Sequence, residues 1–215
     1  MIKRLSPSLN GPLIEWSLHS IEESKHLNSY DSKKQYKTEK QWAEFLGTNK
    51  DDDSTRFNRH IGGKTIYGFH PFWLGQYYYN YNFELYDRVA YFGYSVSPET
   101  GESATLFPAH SFINSQIVNK AKKQSKGNCK VDLTVSSYGL KKNIQLFSND
   151  WEDKINRLVN EVTDLVVSSK GDGICLDFQQ VEDNDAYKFI KLVKLFREEF
   201  DKIDPENKYF ITVID

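Results

Sequence analysis

Lys170-Gly171-Asp172-Gly173-Ile174-Cys175-Leu176-Asp177-Phe178-Gln179-Gln180 is the stretch on which the reading of this chain turns. Side chains change faces at every residue of a strand. Ile174, Leu176 and Phe178 therefore share one face, and Cys175, Asp177 and Gln179 the other. Helical patterns flank the stretch, and a strand between two helices normally belongs to a parallel sheet whose strands are apolar on both faces. Here one face carries a thiol, a carboxylate and a carboxamide. A buried carboxylate is costly unless something holds it, so this polar face is the strongest functional signal in the sequence.

The helix before the stretch is predicted over residues 150–168. Asp150 is its expected cap, and Ile155, Leu158, Val159, Val162, Leu165 and Val166 keep helical spacing. The helix after it is predicted over 185–203 and carries Phe189, Ile190, Val193, Phe196 and Phe200, with Pro205 beyond its end. A final strand is predicted over 209–214. Upstream, residues 130–137 repeat the asymmetry: Val131, Leu133 and Val135 face one way, Asp132, Thr134 and Ser136 the other. A helix is predicted over 111–123, a strand over 88–96 and a first strand over 65–70, followed by an aromatic loop at 76–83. That loop, with Tyr77, Tyr78, Tyr79 and Tyr81, reads equally as a sugar platform or as a helix-packing surface. His70 reads as a satisfied core histidine.

Residues 64–215 thus alternate strand and helix through five strands, the repeat of a parallel α/β fold. The turn after the first strand carries no dinucleotide fingerprint, and the chain has no P-loop. Polar residues facing one way on successive strands fit a TIM-type (β/α) barrel better than an open doubly wound sheet, because barrel sites lie at the strands' C-terminal ends. Eight strands make such a barrel, so the pattern predicts an incomplete one whose open edges favour self-association. Residues 1–63 read as a separate polar segment with one or two short helices. One falls at 12–30 and one follows the capping-box pattern Thr38-Glu39-Lys40-Gln41; the acidic run Asp51-Asp52-Asp53 reads as a solvated loop.

Composition narrows the function. The 28 Lys+Arg against 30 Asp+Glu create no field favouring nucleic acid. No apolar run approaches the ~20 residues of a membrane span, and no secretory signal opens the sequence, although a longer parent protein is compatible with export. Cys129 and Cys175 form neither a metal-ligand pair nor a disulfide framework. No cofactor or metal is expected.

In the stretch from Asp172 to Gln179 the sequence resembles glycoside hydrolase family 18, the chitinases and their relatives. That family's fourth-strand signature is Asp-Gly-x-Asp-x-Asp-x-Glu. Asp172, Gly173 and Asp177 match it, Cys175 replaces the middle Asp, and Gln179 replaces the Glu. Ser136-Ser137-Tyr138-Gly139 keeps the first and last residues of the family's Ser-x-Gly-Gly, and residues 67–73 are similar to its first strand with its following Trp. The resemblance covers residues 64–215. It implies a site for N-acetylglucosamine polymers, in which Asp177 orients the acetamido group while the substrate's own acetamido oxygen acts as nucleophile. Gln179 occupies the acid position. A carboxamide has no proton to give near neutral pH, so binding without hydrolysis is expected. Cys175, uncharged, removes the carboxylate that would couple to Asp177. The resemblance makes Asp172, Ser136 and Gly139 candidate contacts, and the aromatic residues Tyr67, Trp73, Tyr91 and Tyr94 candidate stacking surfaces for sugar rings. Two alternatives remain open: an active chitinase fragment of a longer protein, with Glu182 as a substitute acid, or a non-enzymatic α/β interaction module.

Overall fold

The computed structural model describes Gln41 and residues 65–206 and 209–214. The expectations for residues 1–63 otherwise lie outside the described residues. Five strands form one parallel sheet: β1 Tyr67–Pro71, β2 Arg88–Ser95, β3 Lys130–Tyr138, β4 Gly173–Gln179 and β5 Phe210–Ile214. Their order in the sheet is the order in the chain, and every neighbouring pair is parallel. A doubly wound sheet reverses its strand order at a switch point. With no reversal, right-handed crossovers place every connecting helix on the same face. This is barrel winding, and the sheet is open, with β1 at one edge and β5 at the other.

The helices are α1 Leu106–Asn114, α2 Ile117–Gln124, α3 Leu140–Leu146, α4 Trp151–Ser169 and α5 Ala186–Ile203. Val131, Leu133, Val135, Ile174 and Leu176 pack on the helix side of the sheet, in one core with Ile117, Val118, Leu158, Val159, Val162, Leu192 and Phe196. The opposite face carries Asp132, Thr134 and Ser136 on β3 and Cys175 and Asp177 on β4, all buried. The alternation read from the sequence is therefore present on both strands.

Four local expectations change. The helix predicted over 111–123 starts earlier and breaks in two, because Ser115 leaves the helix and its hydroxyl accepts from the Ile117 amide at 3.0 Å. The short helix α3 has no counterpart in the sequence pattern. Asp150 does not cap α4 through its side chain and instead adopts a left-handed conformation with φ 57. The aromatic loop forms a 3₁₀ segment, Phe72–Asn80, interrupted at Gly75. Within it Tyr78 is buried, its hydroxyl accepting from the Gln116 amide at 3.1 Å, while Tyr77 and Tyr79 are exposed. At the far edge, Phe210 and Val213 on β5 and Ile190 on α5 are exposed.

Candidate functional site

Asp177 and Gln179 stand at the C-terminal end of β4, two residues apart and on the same face. The Gln179 Nε2 amide donates to Asp177 Oδ1 at 3.1 Å. An ionised carboxylate only accepts, so the amide nitrogen must face Asp177, leaving Gln179 Oε1 and a second N–H for another partner. Tyr138, the last residue of β3, donates its hydroxyl to Asp177 Oδ2. Its ring lies 6.2 Å from that of Phe92 at an interplanar angle of 11°, and Trp73 meets Phe92 edge-on at 5.6 Å. The strand ends thus gather a carboxylate, a carboxamide and three aromatic rings.

The turn beyond Gln179 is fixed from α3. Asn143, buried, donates Nδ2 to the Gln179 carbonyl at 2.6 Å and accepts from the Ser137 hydroxyl at 2.6 Å. Gln180 takes a positive φ of 66, and its side chain accepts from the Leu140 amide at 3.0 Å. These contacts set the direction in which the chain leaves β4. Glu182 lies further along that turn, just before a 3₁₀ segment, Asp183–Asp185.

The remaining expected site residues divide. Trp73 belongs to the aromatic cluster. Ser136 is Asp177's register partner, but its hydroxyl donates to the Tyr94 carbonyl at 3.1 Å and helps hold β3 to β2. Gly139 starts α3 with φ 102, a backbone that favours glycine, and contributes only main chain.

Tyr91 and Tyr94 are corrected: both point to the helix side. The Tyr91 hydroxyl is 2.5 Å from Ser111 Oγ on α1, and the Tyr94 hydroxyl donates to Glu161 on α4 at 2.7 Å. Burial, then the Glu161 hydrogen bond, raises the Tyr94 pKa above its ordinary value. Asp172 is also corrected. It precedes β4 at the opposite end of the sheet, five residues and roughly 17 Å of strand from Asp177. There it accepts from the Val131 amide at 3.0 Å and pairs with Lys122 at 3.3 Å. Tyr67 faces the interior, but at the start of β1, where its hydroxyl donates to Asp132 Oδ2 at 3.0 Å.

Asp132 is held from a second side by Arg88, through Nε at 2.7 Å and Nη2 at 2.5 Å. Burial pushes the Asp132 carboxyl up, and the hydrogen bonds from Arg88 and Tyr67 pull the other way. Cys175 lies between this buried pair and the strand-end site. Burial pushes its thiol up to about 12, away from the thiolate form in which a cysteine reacts. Among the described residues no cluster of three or more His, Cys, Asp or Glu could hold a metal ion. No described helix is long and apolar enough to cross a membrane.

The winding of the sheet and its polar strand ends define a β/α-barrel-type domain. Among solved structures, its fold is that of glycoside hydrolase family 18 chitinases. A plant class V chitinase mutant from Cycas revoluta, in complex with (GlcNAc)3, matches with a TM-score of 0.56 and 15% identity over 70% of this chain and 46% of its own. A class V chitinase from Nicotiana tobaccum matches with a TM-score of 0.56 and 12% identity, over 69% of this chain and 43% of its own. A chitinase from Bacteroides thetaiotaomicron matches with a TM-score of 0.50 and 12% identity, over 70% of this chain and 46% of its own. This chain spans less than half the length of these structures. No family model matches the sequence, and no curated protein matches it.

Proposed function

We propose that this chain supplies a carbohydrate site for N-acetylglucosamine polymers in which glycan is held but not cleaved. The observation that carries the reading is the Asp177–Gln179 pair, hydrogen-bonded at the C-terminal end of β4 where barrel sites lie. Asp177 is the group that orients an acetamido N–H. Gln179 donates a hydrogen bond to the oxygen that an acid would protonate, and without a titratable proton it leaves that bond intact. Trp73, Phe92 and Tyr138 form a buried aromatic cluster beside the pair.

Three neighbouring structures support the class of ligand. One is the Cycas revoluta mutant in complex with (GlcNAc)3. Another Cycas revoluta chitinase, carrying a glutamate-to-glutamine change together with a second substitution, is in complex with (GlcNAc)4. A glutamate-to-glutamine mutant of the Nicotiana tobaccum enzyme is in complex with NAG4. The test is turnover of a fluorogenic chitobioside by the unaltered polypeptide and by its Gln179→Glu variant. The expected result is no turnover by the unaltered polypeptide, with Gln179→Glu restoring turnover only in the complete protein. Turnover by the unaltered polypeptide, abolished by Gln179→Ala, would contradict the proposal.

A further inference from the structure

Tyr138 stands in the strand-end site for a reason that neither the fold nor the Asp177–Gln179 pair requires. Its position in the third-strand motif is a glycine in the family that the sequence resembles, and a glycine puts no side chain there. Here the hydroxyl reaches Asp177 Oδ2, while Gln179 takes Oδ1. Both oxygens of the carboxylate are therefore engaged by donors from the chain itself. The ring is stacked on Phe92, and the group is closed: Asp177 is 3% exposed and Tyr138 7%. A ligand N–H that is to reach Asp177 must compete with the Tyr138 hydroxyl for the same acceptor.

We infer that Tyr138 sets how tightly the site holds acetamido sugars, acting as a tethered competitor for Asp177. The inference rests on the reading of this site as one for N-acetylated sugars. A group that donates strongly to a carboxylate, as an acetamido N–H does, displaces the hydroxyl. A sugar lacking that donor does not contest Asp177 and leaves the hydroxyl in place. The residue thus lowers affinity for acetamido sugars, which must displace its hydroxyl, and leaves affinity for sugars without that donor unchanged.

The experiment is calorimetric titration of the polypeptide and its Tyr138→Phe and Tyr138→Gly variants with (GlcNAc)4 and, separately, with cellotetraose. Tyr138→Phe keeps the ring and removes only the competing hydroxyl. It is expected to tighten (GlcNAc)4 binding roughly tenfold, about the worth of one hydrogen bond to a charged group, and to leave cellotetraose unchanged. Tyr138→Gly removes the ring as well and is expected to tighten (GlcNAc)4 binding too, so the inference does not depend on one variant folding well. If the unaltered polypeptide binds (GlcNAc)4 and both variants bind it equally or more weakly, Tyr138 is a support or a contact, and this inference falls while the site reading stands. If none of the three binds (GlcNAc)4, both fall together.

Discussion

Arg88 and Asp132 form a bidentate ion pair on the interior face, with Asp132 fully buried and Arg88 9% exposed. A buried pair is weak evidence of net stabilisation, but breaking it by removing one partner leaves the other charged and unpaired. Asp132→Leu is expected to destabilise the chain by about 3–5 kcal/mol, whereas adding Arg88→Met should restore most of that loss. Urea denaturation of the single and double variants checks this; equal losses in both would mean that the pair contributes through packing alone. At the same scale, the sequence pattern identifies Asp177 and Gln179 because strict alternation places them on one face. It misplaces Tyr91 and Tyr94. These residues have opposite parity, so a regular strand cannot aim both at the cleft. Tyr91 pairs in regular register with Leu133 on the helix side and Phe92 with Thr134 on the interior; the slip between Phe92 and Tyr94 brings Tyr94 opposite Val135, on the helix side as well. Tyr138 escapes the sequence pattern because the predicted strand ends at Ser137, one residue short of the position that continues the parity of Asp132, Thr134 and Ser136. Asn143 carries no pattern at all; its role arises from α3, which the sequence does not reveal.

At the scale of elements, β4 is the strand whose start and end have separate duties. Its end carries the candidate site, and its start closes against β5. A Cβ on Gly173 would collide with the Phe210 carbonyl oxygen and lie 2.7 Å from the Phe210 nitrogen, both backbone atoms that cannot rotate away. Gly173→Ala is therefore expected to cost at least about 2 kcal/mol by forcing β4 and β5 apart, read as a lower denaturation midpoint. An unchanged midpoint would contradict this account of the glycine. The Asp172-Gly173 pair is thus explained by strand packing: Asp172 ties the start of β4 to β3 through the Val131 amide, and Gly173 admits β5. Helices α4 and α5 are legible because their apolar positions recur with helical spacing over many turns. The break between α1 and α2 is not, since it depends on one serine hydroxyl turning back to cap the next helix.

For the molecule as a whole, strand order decides between the two α/β architectures, and the sequence favours the barrel only indirectly, through its one-sided polar strands. One buried group links the fold globally to pH. His70 on β1 is fully buried, with Nε2 3.0 Å from the Gly75 carbonyl and Nδ1 3.1 Å from the Tyr81 hydroxyl. A neutral ring satisfies both, donating from Nε2 and accepting at Nδ1. Burial lowers its pKa from 6.5 to about 4, against the smaller opposing effect of the Gly75 carbonyl. Between those two values the unfolded chain binds a proton that the folded chain refuses, so stability falls as pH falls through this window and is unaffected above it. The loss expected from pH 6.5 to 4 is about 3 kcal/mol. His70→Gln should remove this part of the pH dependence in matched denaturation curves, and an unaltered difference between pH 6.5 and 4 would show that other groups carry it.

Whether the β4 strand end holds N-acetylglucosamine polymers through Asp177 without cleaving them is tested most directly by calorimetric titration with (GlcNAc)4, followed by chromatography of the recovered sugar. The polypeptide and its Asp177→Asn variant are compared. Saturable binding by the unaltered polypeptide is expected, weakened on the order of tenfold or more by Asp177→Asn, with the tetrasaccharide recovered intact. Recovery of shorter oligosaccharides, or binding indifferent to Asp177→Asn, would contradict it.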